Sequence, residues 1–405
     1  LTIRANGASP ATMTDVEVRG ADLLIAVTAS DEVNLLACIL AKKHRIRHTI
    51  ARLRDMQFVS EVGDYLKKTF AIDVMLNSEF ITAQEIYRIL MTTAALNVED
   101  FASGKVRLFE TKVRRDSKLA GIPLKDMDMP AAVLAGMIFR DHQMIIPHGD
   151  DILKPGDNAY FIGDPAEIEK FSARFVKREA RRLERLMIIG AGRTGRALAM
   201  MFDKTEVKVK VIEKDSERCQ QMANGLGNGM VICGDGTDID LLTQEGIDET
   251  DVVVCLTEDD KLNLMLALLA KHLGARETVV RVGRGEYVDL MEKVGVDIVL
   301  SARLLSASEV LAFARRGGVV SVSLLESAKA EAVEVIVQED APVVGKPLKE
   351  VRLPRECLVC AYVRGEEATI PNGDSVLFPG DRAILFIETQ FSQKVIKYFK
   401  GREQE

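Results

Sequence analysis

Gly190, Gly192 and Gly195 form a G-x-G-x-x-G run inside LMIIGAGRTGRALAMMF, residues 186–202. That spacing suits the phosphates of a dinucleotide, and each glycine has a steric task. Gly190 makes the tight turn, Gly192 lets the backbone approach a pyrophosphate, and Gly195 lets helix and strand pack closely. Ala191, Arg193 and Thr194 complete the turn, whose helix N-terminus offers oriented N–H groups to an anion. Glu213 closes the next apolar run, 23 residues after Gly190. An acid at about 20 residues is the expected ligand of ribose hydroxyls. A carboxylate there repels a 2′-phosphate, so NAD or NADH is expected in preference to NADP, with ATP or ADP as further candidates. Asp235, Gly236, Thr257, Glu258 and Arg281 fall at or beyond the ends of later strand-like runs. Ligands of open α/β sheets bind along that rim. Arg281, set in an apolar run, either neutralises phosphate charge or pairs with a neighbouring acid.

These residues need a scaffold, and the surrounding pattern supplies one. LMIIG, VKVKVIE, GMVICGD, DVVVCL and ETVVRV read as strands. GRALAMMF, SERCQQMANGL, DIDLLTQEGI and DDKLNLMLALLAKHLG, between them, read as helices. Short β-branched runs alternating with helical patterns imply βαβ units and a parallel sheet. The helix from Asp259 is apolar almost all round, as expected of one covered on both sides. From about Ser301, RLLSASEVLAFARR reads as a helical connector into a different texture. There AVEVIVQ, LVCAYVR and RAILFIE are strands separated by turns such as PNGD and FPGD, a small α+β lobe.

Most of this scaffold occurs twice. GADLLIAVTASDEVNLLACILAKK (20–43) aligns with ETDVVVCLTEDDKLNLMLALLAKH (249–272). Gly7 matches Gly236, Asp22 Asp251, Thr28 Thr257, Asn34 Asn263 and Arg52 Arg281, each pair 229 residues apart. After a small length change, GIPLKDM at 121 matches GKPLKEV at 345, and IPHGDDILKPGD (146–157) matches IPNGDSVLFPGD (370–381), now 224 apart. So long a period marks duplicated domains, not a solenoid. The expected fold class is α/β, with two Rossmann-like, doubly wound parallel-sheet lobes, the first truncated at its N-terminus. Each is followed by a small α+β lobe. The expected boundaries are 1–95, 96–176, 183–317 and 318–405.

Leu1 falls opposite Met230, so the counterpart of residues 186–229 would precede the chain, and the native protein is expected to have it. Of the first rim Asn6, Gly7, Thr28, Ala29 and Arg52 remain, and without a glycine turn that copy is expected to bind poorly. Between the copies RFVKREARRLERL, with Glu179 and Glu184 among its bases, reads as a solvated linker helix.

Other chemistries find little support. A net charge of -7 argues against a nucleic-acid binder. No apolar run reaches the roughly 18 residues of a membrane span, so the chain is expected to be soluble, able to dock on a membrane protein. Cys357 and Cys360 make a C-x-x-C, but residues three apart on a strand point to opposite faces, which favours two core thiols. Of the five histidines, His44, His48, His142, His148 and His272, none pairs with an acid near the glycine turn. No catalytic residue and no metal ligand set is therefore assigned. A soluble NAD-dependent oxidoreductase, and a tandem Rossmann scaffold with vestigial pockets, stand as alternatives to a sensor.

The order of these motifs resembles that of the cytoplasmic regulatory subunits of Trk-type potassium uptake systems (the TrkA family), built from tandem RCK (KTN) domains. IIGAGRTG, Glu213, GDGT, LTEDDKLN and VVRV carry the resemblance in the nucleotide lobe, GKPLKEV and IPNGDSVLFPGD in the small lobe. It covers essentially the whole chain. The resemblance implies a homo-oligomeric ring, a tetramer of double-RCK chains, on an integral-membrane potassium channel subunit at the inner face of the cell membrane. It also implies control by NAD(H) and adenine nucleotides, and no enzymatic activity.

Overall fold

A computed structural model describes residues 2–14, 18, 20–55, 58, 63–91, 98–113, 117, 119–141, 143–174, 183–314 and 319–401. His142 and most of the basic linker run, 175–182, lie outside the described residues. The chain gathers into two compact units, residues 1–87 with 183–310, and 88–182 with 311–405. The first unit contains β1 (Leu23–Ala26), β2 (His48–Arg52) and β3 (Val74–Leu76). To the second belong β4 (Val98–Phe101), β5 (Val106–Lys112), β6 (Val133–Arg140), β7 (Gln143–Ile145) and β8 (Asn158–Gly163). The chain returns to the first unit for β9 (Arg185–Ile189), β10 (Lys208–Glu213), β11 (Met230–Cys233), β12 (Val252–Cys255), β13 (Glu277–Val282) and β14 (Ile298–Ser301). β15 (Val319–Leu325), β16 (Ala330–Ile336), β17 (Cys357–Arg364), β18 (Glu367–Thr369) and β19 (Arg382–Glu388) complete the second unit.

In the first unit, β11-β10-β9-β12-β13-β14 form one parallel sheet, the order of a doubly wound dinucleotide fold. The five strands expected from sequence are all present, and β14 is a sixth that the sequence reading passed over. Its run, VGVDIVLSA, is short and leads straight into the helix Ala302–Ala314 expected as the connector. The helix Asp260–His272 is less enclosed than its composition suggests. Asn263, Leu266, Ala267 and Ala270 are buried against the sheet, but Met265 on the other side is 50% exposed.

The other sheet, β1-β2-β3, matches only β12-β13-β14. Residues 2–4, opposite the start of β11, form no strand. In the complete lobe β11 pairs with β10 alone, and among the described residues no strand stands beside residues 2–4. β1 is therefore an edge, with Ile25 41% exposed, where β12 is buried throughout. The duplication extends to side-chain polar contacts. Asp73 accepts hydrogen bonds from Lys42 and the Thr49 amide, and Asp297 accepts them from Lys271 and the Thr278 amide.

The second unit holds two five-stranded antiparallel sheets, β4-β5-β8-β6-β7 and β15-β16-β19-β17-β18. They share one apolar core, in which Phe101, Met137, Tyr160 and Ile162 meet Cys360, Ile384 and Phe386. Contact is close enough that a Cβ on Gly136 would stand 2.5 Å from the Phe386 ring. The Glu326 carboxylate accepts from the Tyr160 hydroxyl at 2.5 Å and from Asn158 Nδ2 at 2.9 Å, tying the two lobes by polar contacts as well. Cys357 and Cys360 sit in different cores on opposite faces of β17, and burial pushes the Cys357 thiol up to about 12. Gly156 and Gly380, of the two PGD turns, adopt the positive φ expected of them. Gly373 of PNGD does not; it allows close approach of the Lys349 side chain instead.

Candidate functional site

β9 ends at Ile189, and the turn Gly190–Ala191–Gly192 leads into the helix Arg193–Phe202. Gly190 has φ +105°, a conformation that L side chains avoid, and a Cβ there would lie 3.0 Å from the Leu256 carbonyl oxygen. On Gly195 a Cβ would stand 2.0 Å from the Gly190 oxygen, so helix and turn touch through backbone. At Gly192 a Cβ would meet nothing within 4 Å, only open cleft. Gly192 is also the helix N-cap, and no side chain caps it. The helices that begin at Ser216, Ile239 and Asp260 in the same lobe are each capped by an aspartate, Asp215, Asp238 and Asp259. The first-turn N–H groups at the glycine turn are thus left to an external acceptor.

The turn opens on a cleft of ≈ 370 Å³ bounded by the carboxyl ends of β9, β10, β11 and β12. Gly190, Gly192, Glu213, Asp235, Gly236, Thr257 and Glu258, all candidates from sequence, line it. An adjoining cleft of ≈ 330 Å³ shares Gly192, Arg218 and Glu258 and adds Ala191 and Arg193. Thr194 is buried in the first helical turn, Gly195 packs on the turn, and Arg281 lines neither cleft. The Arg281 Nε is buried without a hydrogen-bond partner, and the Arg281 carbonyl accepts from Asn263 Nδ2 at 3.1 Å.

Glu213 is 6% exposed, and its carboxylate bonds to the turns on both sides. One oxygen accepts the Ala191 N–H at 2.7 Å, the other the Asp215 N–H at 3.0 Å. Each carboxylate oxygen has a second lone pair, which leaves acceptor capacity facing the cleft. Asp235 accepts the Thr237 N–H and hydroxyl, bonds that hold its carboxyl below the usual range. Backbone N–H groups of Leu262 and Lys261 do the same for Asp259. A Cβ on Gly236 would come within 2.5 Å of Ile189, so glycine is needed there for packing against β9.

Several residues of the site escaped the sequence reading. Arg196 and Arg218 join Arg193 around the adjoining cleft, giving it three guanidinium groups against one acid, Glu258. Arg193 and Arg196 lie one helical turn apart, a signal legible in sequence; Arg218 comes from a different helix. Asn263, matched to Asn34 in the repeat, is fully buried beneath the rim. Its Oδ1 accepts the Thr257 N–H at 2.8 Å and hydroxyl at 2.7 Å, and its Nδ2 donates to the Thr257 and Arg281 carbonyls. This uses the whole bonding capacity of the amide. Asn263→Ala strands these buried partners, and we expect it to cost about 3 kcal/mol, read as a lower urea midpoint with unchanged slope.

The first copy repeats the rim without the turn. Asn34 binds the Thr28 N–H and hydroxyl and the Arg52 carbonyl as Asn263 does in the second copy. Asn6 accepts the Ala8 N–H, as Asp235 accepts that of Thr237. Asn6, Gly7, Thr28 and Ala29 are exposed, and the buried Arg52 Nε, like that of Arg281, has no partner.

Comparison with known proteins agrees with this duplication. The TrkA-N domain family matches residues 1–77 and 186–302, and the TrkA-C domain family matches 108–176 and 332–400. The chain is 36% identical, over 99% of its length and 90% of the relative's, to Trk system potassium uptake protein TrkA homolog 1 of Methanosarcina mazei. It is 33% identical to Trk system potassium uptake protein TrkA of Halomonas elongata, over 95% of this chain and 86% of that one. Among solved structures, the GsuK RCK domain superposes with a TM-score of 0.59 at 21% identity, covering 98% of this chain and 84% of that one. The GsuK channel bound to NAD gives 0.58 at 20% identity, covering 98% and 70%.

Proposed function

Because the chain belongs to the TrkA family of Trk potassium uptake proteins, we propose that it is a nucleotide-sensing regulatory subunit that gates a membrane potassium transporter. In this reading NAD or NADH, or ATP or ADP, occupies the clefts around Gly192, and a homo-oligomeric ring of chains passes the change to a membrane partner at its cytoplasmic face. The observation that carries it is the uncapped helix at Gly192, which lines two adjoining clefts, one with Glu213 and the other with Arg193 and Arg196, while Arg218 lines both. Backbone N–H groups and guanidinium groups suit phosphate, and a carboxylate at the end of β10 suits ribose hydroxyls.

Asp235 and Asp259 are occupied by hydrogen bonds from Thr237 and from the Lys261 and Leu262 N–H groups, which fits a part in shaping the cleft. A nucleotide gates only by binding one arrangement of the assembly more tightly than another. About 1–3 kcal/mol of coupling per site, multiplied around a symmetric ring, is enough to do so.

Thermal unfolding in the presence of NAD, NADH, ATP, ADP and NADPH tests the reading. Ligand at 100 times its Kd is expected to stabilise the chain by about 2.7 kcal/mol, a saturable rise in Tm. No rise with any of the five nucleotides would overturn it. Glu213→Gln, which removes the charge but keeps the shape, is expected to narrow the preference for NADH over NADPH. Competition titrations of the two cofactors read that change directly; an unaltered ratio would remove Glu213 from the specificity argument.

A further inference from the structure

Two cysteines with no part in nucleotide binding meet behind the wall of the first cleft. β10 and β11 run side by side with Glu213 opposite Cys233. Cys219 lies in the first turns of the helix Ser216–Gly225, just after β10. Its thiol donates to the Glu213 carbonyl at 3.1 Å, and that same oxygen accepts the Gly234 N–H at 2.8 Å. Cys233, opposite Glu213 in the sheet, adds to the burial that holds the proton on Cys219. Cys233 is open to solvent, whereas Cys219 is only 7% exposed. Each adjoins a cleft residue, Arg218 beside one and Gly234 beside the other, so the thiols join two separate walls. Cys38, Cys255, Cys357 and Cys360 are all buried, so Cys233 is the thiol an external reagent reaches.

We propose that Cys219 and Cys233 form a reversible dithiol–disulfide site whose reaction partner is a low-molecular-weight disulfide of the glutathione type. The Cys233 thiolate attacks one sulfur of the incoming disulfide, whose S–S bond breaks, and one thiolate leaves and takes up a proton. Cys219 then gives up its proton and attacks the Cys233 sulfur of the mixed disulfide. The second thiolate leaves and takes a proton in turn. Two electrons pass from the protein to the reagent, which is reduced to two thiols. Burial, with the Cys233 contact adding to it, pushes the Cys219 thiol up to about 12. Cys219 therefore stays protonated in the dithiol state, which leaves the exposed Cys233 as the first nucleophile. The bond replaces the thiol hydrogen bond on Glu213 with a covalent tie between the two walls. This inference stands whether or not a nucleotide occupies the cleft.

Equilibrating the full chain in mixtures of oxidised and reduced glutathione, then alkylating and digesting with trypsin, tests it. Trypsin cuts after Arg218 and Lys261, so Cys219, Cys233 and Cys255 share one peptide, 219–261. We expect that peptide to be two hydrogens lighter, with Cys255 alkylated and no fragmentation between 219 and 233. Dithiothreitol should reverse the change, and neither Cys219→Ser nor Cys233→Ser should show it. Cys233 carrying glutathione beside an alkylated Cys219 would overturn the proposal. So would a bridge to Cys255, or three alkylated thiols even in fully oxidised glutathione. Cys233→Ser alters an exposed side chain, so the test survives any folding defect in the Cys219 variant.

Discussion

Gly192→Asp is expected to leave the chain folded and to weaken nucleotide binding by two to three orders of magnitude. No heavy atom lies within 4 Å of the new Cβ, and φ of -63° is open to any residue. Aspartate is also a better N-cap than glycine, so the unliganded variant gains a few tenths to about 1 kcal/mol. The same carboxylate enters the space that a pyrophosphate needs. At about 4 Å and an effective dielectric constant of about 20, its repulsion is on the order of 4 kcal/mol. That corresponds to roughly a thousandfold in Kd. Calorimetric titration with NADH and ATP, alongside unliganded Tm, separates the two effects. Tight binding by the variant would mean that the phosphates do not sit at this turn.

Gly195→Ala is expected to do the reverse, damaging the fold before any ligand is added. The new methyl would stand 2.0 Å from the Gly190 carbonyl oxygen and 3.1 Å from its carbon, both backbone atoms. Gly190 has little freedom to yield. Its own position is fixed by a left-handed φ of +105° and by its N–H bond to the Ile212 carbonyl at 2.9 Å. Overpacking of this kind costs about 3 kcal/mol, or more where backbone cannot shift, out of a total stability of about 5–15 kcal/mol. Chemical unfolding followed by a probe in residues 183–310 reads the loss. An unchanged midpoint would show that the helix slides away from the turn at little cost. The two substitutions separate glycines that the G-x-G-x-x-G pattern treats alike: one keeps space for a ligand, the other keeps space for the fold.

Much of the architecture was legible because it is written in short, local patterns. β-branched runs at strand spacing, helical apolar runs and glycine punctuation located β9 to β13 and the helices between them. The repeat made that reading twice as secure, since Thr28 and Asn34 stand to each other as Thr257 and Asn263 do. β14 escaped because four residues followed at once by a helix carry too little pattern to register. The helix from Asp259 is less covered than expected, with Met265 half exposed, because composition tells how apolar a helix is, not which neighbours cover it.

For the site, the sequence by itself determined the turn, the acid at the end of β10 and the rim residues, because each follows from a fixed offset within one βαβ unit. Only the tertiary structure decided how they are held. The Glu213 carboxylate holds the turn through Ala191, Arg218 arrives from another helix to face Arg193 and Arg196, and Arg281 is drawn out of the clefts. Sharing of one core by the two small lobes, with Glu326 bonded to Tyr160 across 166 residues of chain, was likewise invisible in sequence. The physical reason is the same throughout. Backbone geometry and periodicity are properties of neighbouring residues and are encoded locally. The partner of a buried polar group is settled only when distant segments are desolvated together and each donor must find an acceptor.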